Sequence, residues 1–127
     1  MNPAMSSRVV VLTGASSGIG KAAALAFARR GDRLVLAARG QAGLASVAAA
    51  CGGDPLVVPT DVTDCHQLSE LAEAAVDRFG RIDVWVDSAA VMAYGRFEDV
   101  PANVFDRVVT TALLGTANVA RTALRQF

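Results

Sequence analysis

The sequence predicts an α/β protein with a doubly wound parallel sheet that lies between two layers of helices. Short apolar runs alternate four times with stretches of helical period; the runs are residues 9–12, 34–37, 56–58 and 82–86. These runs are almost continuously apolar, which is typical of strands covered on both faces. Strands that alternate with helices must run parallel, joined by right-handed crossovers. The order β-α-β-α-β-α-β-α therefore indicates a three-layer Rossmann-type fold, in which the central sheet is truncated after about four strands.

The helical segments are defined by apolar residues at the spacing of one helix face. The predicted buried positions are Ile19, Ala22, Ala23, Ala26 and Phe27 in the first, Leu44, Val47, Ala48 and Cys51 in the second, and Leu68, Leu71, Ala72, Ala75, Val76 and Phe79 in the third. A glycine closes each segment, as expected for a left-handed cap residue. Asp64 precedes the third segment, where a carboxylate suits the positive end of the helix dipole.

The last segment, residues 101–127, carries a wide apolar stripe. Its members are Phe105, Val108, Val109, Ala112, Leu113, Thr116, Ala120, Ala123, Leu124 and Phe127. Gly115 lies inside this segment, although glycine costs a helix about 1 kcal/mol relative to alanine. We therefore expect another backbone to approach the helix closely at Gly115.

Composition narrows the possible functions. The 127 residues suit a single domain, 1–127, but are short for a complete dinucleotide-binding domain. Zero formal net charge and a pI near 6.5 argue against nucleic acid or anionic lipid as a partner. No apolar run approaches the length of a membrane span, and residues 1–8 resemble no targeting segment. Cys51 and Cys65 match no metal or redox spacing, so we expect reduced thiols and a cytoplasmic location.

A glycine-rich loop joins the first strand to the first helix, and it reads Thr-Gly-Ala-Ser-Ser-Gly-Ile-Gly over residues 13–20. In the Rossmann-type arrangement, Gly14 would allow a tight turn, Gly18 would let backbone approach a pyrophosphate, and Gly20 would let the helix pack against the sheet. The predicted cofactor-binding residues of this loop are Gly14, Ser16, Ser17, Gly18, Ile19 and Gly20. An ATPase-type phosphate loop is excluded, because Ala15 and Ala22 occupy its glycine and hydroxyl positions. A glycine turn without a ligand is the remaining alternative.

This loop resembles the fingerprint of the short-chain dehydrogenases/reductases, and the resemblance extends over essentially the whole chain. It implies that Asp61 and Val62 meet the adenine of a dinucleotide, with the carboxylate accepting from the exocyclic amine. A cap or turn role is the alternative for Asp61. The resemblance also places residues 88–90, Ser88, Ala89 and Ala90, near the cofactor ribose. The family usually reads Asn-Asn-Ala-Gly there, and Ala90 cannot adopt glycine-only conformations, which places that close approach in doubt.

The end of the second strand favours NADP(H) over NAD. An acidic residue at this point would bind the ribose 2′-hydroxyl, but the chain has Ala38 followed by Arg39. A guanidinium binds a 2′-phosphate through paired, charge-assisted hydrogen bonds, so we assign Arg39 to that phosphate. A solvated surface arginine is the alternative.

The family's catalytic pattern is not present in this chain. That chemistry uses a serine and a Tyr-x-x-x-Lys pair on a helix, whereas Tyr94 and Lys21 are here the single tyrosine and the single lysine. Ala112 occupies the position where the family has an asparagine that holds a water of the proton relay. We accordingly interpret Tyr94 as a loop residue, His66 as a surface residue and Trp85 as a core residue.

The resemblance therefore implies an NADP(H)-dependent oxidoreductase acting on a carbonyl/alcohol substrate, of which this chain carries the cofactor-binding half and is inactive alone. The alternative is a non-catalytic dinucleotide-binding or assembly protein derived from that family. The fourth strand would form a sheet edge beside the apolar segment 101–127, and such surfaces favour association. We therefore predict a homodimer or higher oligomer formed through residues 101–127, the edge of the fourth strand, or both, and no nucleic acid, membrane or metal partner.

Overall fold

The computed structural model describes residues 6–127, which form one parallel sheet with helices on both faces. The elements are β1 (Val9–Thr13), α1 (Gly18–Arg29), β2 (Arg33–Ala38), α2 (Gln41–Cys51), β3 (Leu56–Pro59), α3 (Cys65–Phe79), β4 (Val84–Asp87), a short 3₁₀ turn (Phe97–Asp99), α4 (Ala102–Val109), a π-helical segment (Thr110–Gly115) and α5 (Thr116–Leu124). The predicted fold class and element order are confirmed.

All strand pairs are parallel, and the strand order is β3-β2-β1-β4. Val11 of β1 lies opposite Val35 of β2 on one side and Trp85 of β4 on the other. β1 is fully buried, whereas β3 and β4 are half-buried because each has one neighbouring strand in the described sheet. The fourth strand is thus a sheet edge, as predicted.

The alternation of side chains along β1 and β2 produces two cores, one on each face of the sheet. Val10, Leu12, Leu34 and Leu36 face α1 and α2. The residues between them face α3 and α5 instead, with Val11 and Val35 at the centre. Each face buries large aliphatic side chains, each of which stabilises the fold by roughly 1.5–3 kcal/mol.

The predicted inner face of α1 is partly wrong. Gly20 and Ala24 are buried, whereas Ile19, Ala22 and Ala26 are exposed. Ala23 and Phe27 are half-buried, as expected. The reason is that α1 is rich in alanine, which gives the hydrophobic pattern little direction, while the close packing of Gly20 sets the rotation of the helix. The predicted inner faces of α2 and α3 are confirmed, except that Val76 is exposed.

The carboxyl-terminal segment also differs from the prediction. Its buried residues are small and follow at intervals of four: Thr111, Gly115, Val119 and Ala123. Most of the predicted apolar stripe is exposed, including Leu113 at 64% and Phe127 at 69%. Gly115 does permit a close approach, but of the Val62 side chain rather than of a backbone: a Cβ on Gly115 would lie 2.8 Å from Val62 Cγ2. This contact fixes which helix face turns inward.

Candidate functional site

A cleft of about 700 Å³ opens at the carboxyl ends of the strands. In parallel α/β sheets, the crevice beyond this edge is where ligands bind. The residues that line the cleft are Gly14, Ser16, Ser17, Gly18, Ile19, Ala38, Arg39, Gly40, Thr60, Asp61, Val62, Ser88, Ala89, Ala90, Val91, Met92 and Thr111. The structure therefore brings together at one cleft every predicted site residue except Gly20.

Gly14 and Gly20 are required by packing within the glycine loop. Gly14 has φ +74°, and a Cβ there would lie 2.5 Å from the Ala89 nitrogen. A Cβ on Gly20 would lie 2.0 Å from the Gly14 carbonyl oxygen and 2.5 Å from Ser88 Oγ. Gly20 thus packs against the glycine loop and the segment after β4. The sequence had predicted that it would pack against the sheet.

Gly18 differs from these two glycines because its surroundings are open. It adopts φ +53° at the start of α1, and a Cβ there would meet nothing within 4 Å. Its missing side chain therefore leaves backbone facing free space in the cleft. This is the geometry that the close approach of a bulky anion to the main chain requires.

The two helices that begin at the cleft have no side-chain cap. Ser17 precedes α1 and Gly40 precedes α2; neither contributes a capping hydrogen bond, and neither first turn contains an acidic residue. By contrast, Asp64 caps α3 and accepts from the backbone of His66 at 2.9 Å and of Gln67 at 3.2 Å. The amino ends of α1 and α2 thus present unneutralised positive dipole ends to the cleft.

The segment after β4 is tied to the end of β1. Asp87 Oδ1 accepts from Thr13 Oγ1 at 2.8 Å and from the Ala89 backbone at 3.2 Å. Ser88 Oγ donates to the Thr13 carbonyl at 2.9 Å, and the Ser88 backbone donates to the same oxygen at 3.0 Å. Ala90 follows without strain, because no non-glycine residue among 6–127 has a positive φ. The backbone of this segment does not depend on the family's glycine.

Asp61 stabilises a turn, which was the predicted alternative to binding adenine, and it also lines the cleft. Its Oδ1 accepts from the Thr63 backbone at 3.0 Å and from Thr63 Oγ1 at 2.7 Å. These two hydrogen bonds lower the pKa of Asp61; burial opposes them, and the positive charges of Arg39 and Arg107 add to them. The side chain is therefore an anion at neutral pH, with hydrogen bonds from Thr63 recorded at one oxygen.

Arg39 directly follows β2 on the cleft wall. Its side chain is exposed and forms no ion pair with any residue that the structure describes. Other arginines do form ion pairs; for example, Arg8 Nη2 lies 3.2 Å from Asp32 Oδ2. Arg39 is thus a free cation beside the amino end of α2.

Other candidate residues lie outside the cleft. Tyr94 is 85% exposed in the loop before α4, and His66 is exposed with Nε2 3.3 Å from Glu70 Oε1. Trp85 is half-buried against the core on the α3 side, and its enclosed Nε1 has no partner among the described residues. No cluster of metal-ligating side chains occurs in residues 6–127. No helix in that range is both long and apolar enough to span a bilayer.

Several lining residues were missed from the sequence: Ala38, Gly40, Thr60, Val91, Met92 and Thr111. Ala38 and Gly40 could have been found, since they flank Arg39 at the end of a strand. Thr111 carried no such signal, because the π-helical segment that presents it does not follow the regular helical period.

The parallel α/β sheet, the glycine loop and the cleft at the strand ends define a nucleotide-binding class of protein. A family model described as short chain dehydrogenase matches residues 8–127. The chain belongs to that family, whose members are oxidoreductases that bind NAD or NADP.

Relatives and solved structures match the same range. The chain is 37% identical over 126 residues to L-rhamnose 1-dehydrogenase (NAD(P)(+)) of Azotobacter vinelandii, covering 94% of this chain and 49% of that one. It is 30% identical, with a TM-score of 0.87, to a 3-ketoacyl-(acyl-carrier-protein) reductase from Brucella melitensis complexed with NADH, covering 94% and 50%. An actinorhodin polyketide ketoreductase with NADPH has the same identity and TM-score, with 94% and 47% covered. The chain spans about half the length of these proteins.

Proposed function

We propose that this chain is the NADP(H)-binding part of a short-chain oxidoreductase that acts on a carbonyl/alcohol pair. The observation that carries this proposal is the cleft itself, where an open glycine backbone, two uncapped helix ends and a free arginine converge. All of these features favour an anionic ligand. A dinucleotide phosphate supplies anionic groups at two separate points, and the cleft offers two places to receive them.

The first place is the amino end of α1, which we assign to the pyrophosphate. Gly18 leaves space for the phosphate oxygens beside the main chain, and Ser16 and Ser17 line the same wall. Because Ser17 caps no backbone group of α1, the first-turn N–H groups and the Ser17 hydroxyl are available to the ligand.

The second place is the amino end of α2, which we assign to the ribose 2′-phosphate. Arg39 and Gly40 both line the cleft, and α2 has no acidic residue in its first turn. A guanidinium next to an uncapped helix start favours a phosphate dianion over a neutral hydroxyl. This charge pattern supports NADP(H) rather than NAD as the preferred cofactor.

At the adenosine end, we assign Asp61 and Val62 to the base, and residues 88–90 to the neighbouring ribose. The ionised Asp61 carboxylate keeps an oxygen for the exocyclic amine beyond the one that Thr63 occupies. Nicotinamide is the hydride carrier that this cofactor supplies when bound.

We expect the chain as given to bind the nucleotide without transferring hydride. It contains no Tyr-x-x-x-Lys pair, and its single tyrosine, Tyr94, is exposed and contacts Met92 rather than a base. The alternative, a non-catalytic binding or assembly protein, predicts the same cofactor affinity, but no substrate-dependent oxidation of NADPH by the whole protein.

We further propose a cytoplasmic protein that associates through residues 101–127. Phe105, Val109, Leu113, Leu114 and Leu124 are exposed on α4, the π-helical segment and α5. Exposed apolar side chains on one segment are typical of an association surface. A monomeric mass in light scattering at tens of micromolar would contradict the homo-oligomer.

The experiment is calorimetric titration with NADPH and NADH. Replacement of Arg39 with alanine should weaken NADPH binding about 10- to 150-fold, the equivalent of roughly 1.5–3 kcal/mol for charged hydrogen bonds, and should change NADH binding by less than about threefold. Arg33→Ala is the matched control, because Arg33 is exposed at the opposite end of the same strand. Equal losses for both cofactors would defeat the NADP(H) assignment. If the unaltered protein bound neither NADPH nor NADH, the proposed function would be wrong.

A further inference from the structure

Thr111 is a buried residue whose hydroxyl lacks a partner. The residue is 8% exposed and lines the cleft together with Asp61 and Val62. A hydroxyl at the cleft surface is hydrated in the free protein but needs a partner once a ligand covers it, since leaving a buried hydrogen bond unmade costs roughly 1–3 kcal/mol. The Thr111 side chain forms none with any residue in the described range 6–127.

A threonine within a helix usually satisfies its hydroxyl by donating to the carbonyl one turn earlier. Thr122 in α5 does so, with Oγ1 2.9 Å from the Asn118 carbonyl oxygen. Thr111 makes no such bond, and it lies in the π-helical segment Thr110–Gly115. Segments of this kind frequently occur at functional sites. The Thr111 hydroxyl is not fully enclosed by protein atoms. Because the residue lines the cleft, we infer that the hydroxyl is accessible from the cleft.

Two contacts with Val62 fix the position of this segment. Gly115 lies against Val62 so closely that an added Cβ would be 2.8 Å from Cγ2. Asn118 Nδ2 also donates to the Val62 carbonyl at 3.2 Å. The helix wall that carries Thr111 and the loop that carries Asp61 are therefore held to one another through Val62.

We propose that the Thr111 hydroxyl forms a hydrogen bond with a ring nitrogen of the adenine base and contributes to the affinity for the cofactor. This inference rests on the proposed function, because it takes the dinucleotide as the ligand. Asp61, an anion, only accepts, whereas a hydroxyl can donate to a ring nitrogen. An acceptor and a donor that line the same cleft match the amine and the ring nitrogens of adenine.

The test compares Thr111→Val, which keeps the shape and removes the hydroxyl, with Thr111→Ser, which keeps the hydroxyl. The probes are NADPH and adenosine 2′,5′-bisphosphate, which contains the adenosine end without nicotinamide. We expect Thr111→Val to weaken both ligands by the same factor, about 3- to 10-fold, and Thr111→Ser to stay within about twofold of the unaltered protein. Thr122→Val is the control, because that hydroxyl is satisfied within α5; it should leave both affinities unchanged.

A purely structural role would give a different result. The unfolding midpoint of each variant is measured in parallel. The inference would be overturned if the loss of affinity among the variants correlated with their loss of stability and not with the absence of the hydroxyl. Equal affinity of Thr111→Val and the unaltered protein, or loss for NADPH without loss for the bisphosphate, would also overturn it. If the unaltered protein binds NADPH but Thr111→Val binds equally well, only this inference fails. If the unaltered protein binds neither ligand, the proposed function fails with it.

Discussion

Replacement of Gly14 with alanine tests the packing on which the glycine loop depends. The residue has φ +74°, and the new Cβ would lie 2.5 Å from the Ala89 nitrogen and 2.6 Å from the Ser88 carbonyl carbon. Both neighbours are backbone atoms, and Ser88 is anchored by two hydrogen bonds to the Thr13 carbonyl. The alanine methyl group therefore cannot be accommodated by rotating a side chain, and the loop must separate from the segment after β4.

The magnitude follows from two contributions. A left-handed conformation costs a non-glycine residue about 1–2 kcal/mol, and overpacking costs about 1–3 kcal/mol more. We expect Gly14→Ala to lower the free energy of unfolding by about 2–5 kcal/mol. Gly31→Ala is the matched control, since Gly31 has φ +79° but nothing within 4 Å of an added Cβ. The control should lose only the conformational contribution, about 1–2 kcal/mol.

The assay is urea unfolding followed by the fluorescence of Trp85, the single tryptophan. With a slope of about 1.5 kcal/mol/M, the two midpoints should differ by roughly 0.7–2 M. Comparison with Gly31→Ala removes the backbone contribution and leaves the contact with Ser88 and Ala89. Equal midpoints for the two variants would refute the close approach of the two segments.

Two further predictions concern other contacts. Gly115→Ala should improve helix propensity yet destabilise the protein, by about 1–3 kcal/mol in urea unfolding, because its Cβ meets Val62, and it should weaken NADPH binding; a stability gain would contradict this. Burial raises the pKa of Asp32, but the hydrogen bonds and charge of Arg8, together with the charge of Arg30, outweigh it and lower that pKa overall. The stability that Asp32 contributes should therefore be present above its unfolded pKa of about 4 and be lost as pH falls through its lower folded value. Asp32→Asn should reduce stability at pH 7 and flatten the acid dependence of the urea midpoint; an unchanged pH profile would contradict the ion pair.

The sequence predicted the sheet well because strands buried on both faces leave an apolar pattern that few other structures produce. The runs at 9–12 and 34–37 became β1 and β2, which fill the centre of both cores. The inner faces of α2 and α3 were also predictable, since Leu44 stands among small residues and Leu68 among polar ones. Large side chains at a regular spacing give a direction that packing then follows.

Prediction failed where small residues set the packing. In α1, Gly20 and Ala24 turn inward because the loop carbonyl of Gly14 leaves room for no side chain. In the carboxyl-terminal segment, Gly115 faces Val62 for the same reason, and larger residues such as Leu113 are directed outward. The sequence indicated a close approach at Gly115, but hydrophobicity identified neither its partner, Val62, nor the helix face that turns inward.

The capping pattern connects the fold to the proposed ligand. Three helices start at the carboxyl edge of the sheet, and a side-chain cap contributes about 1 kcal/mol to each helix that has one. α3 has its cap in Asp64, whereas α1 and α2, whose preceding residues Ser17 and Gly40 line the cleft, have none. The uncapped backbone donors of α1 and α2 are thus within reach of an anion in the cleft. Ligand oxygens would supply the missing acceptors, so binding should stabilise the start of α1 and of α2 more than the start of α3.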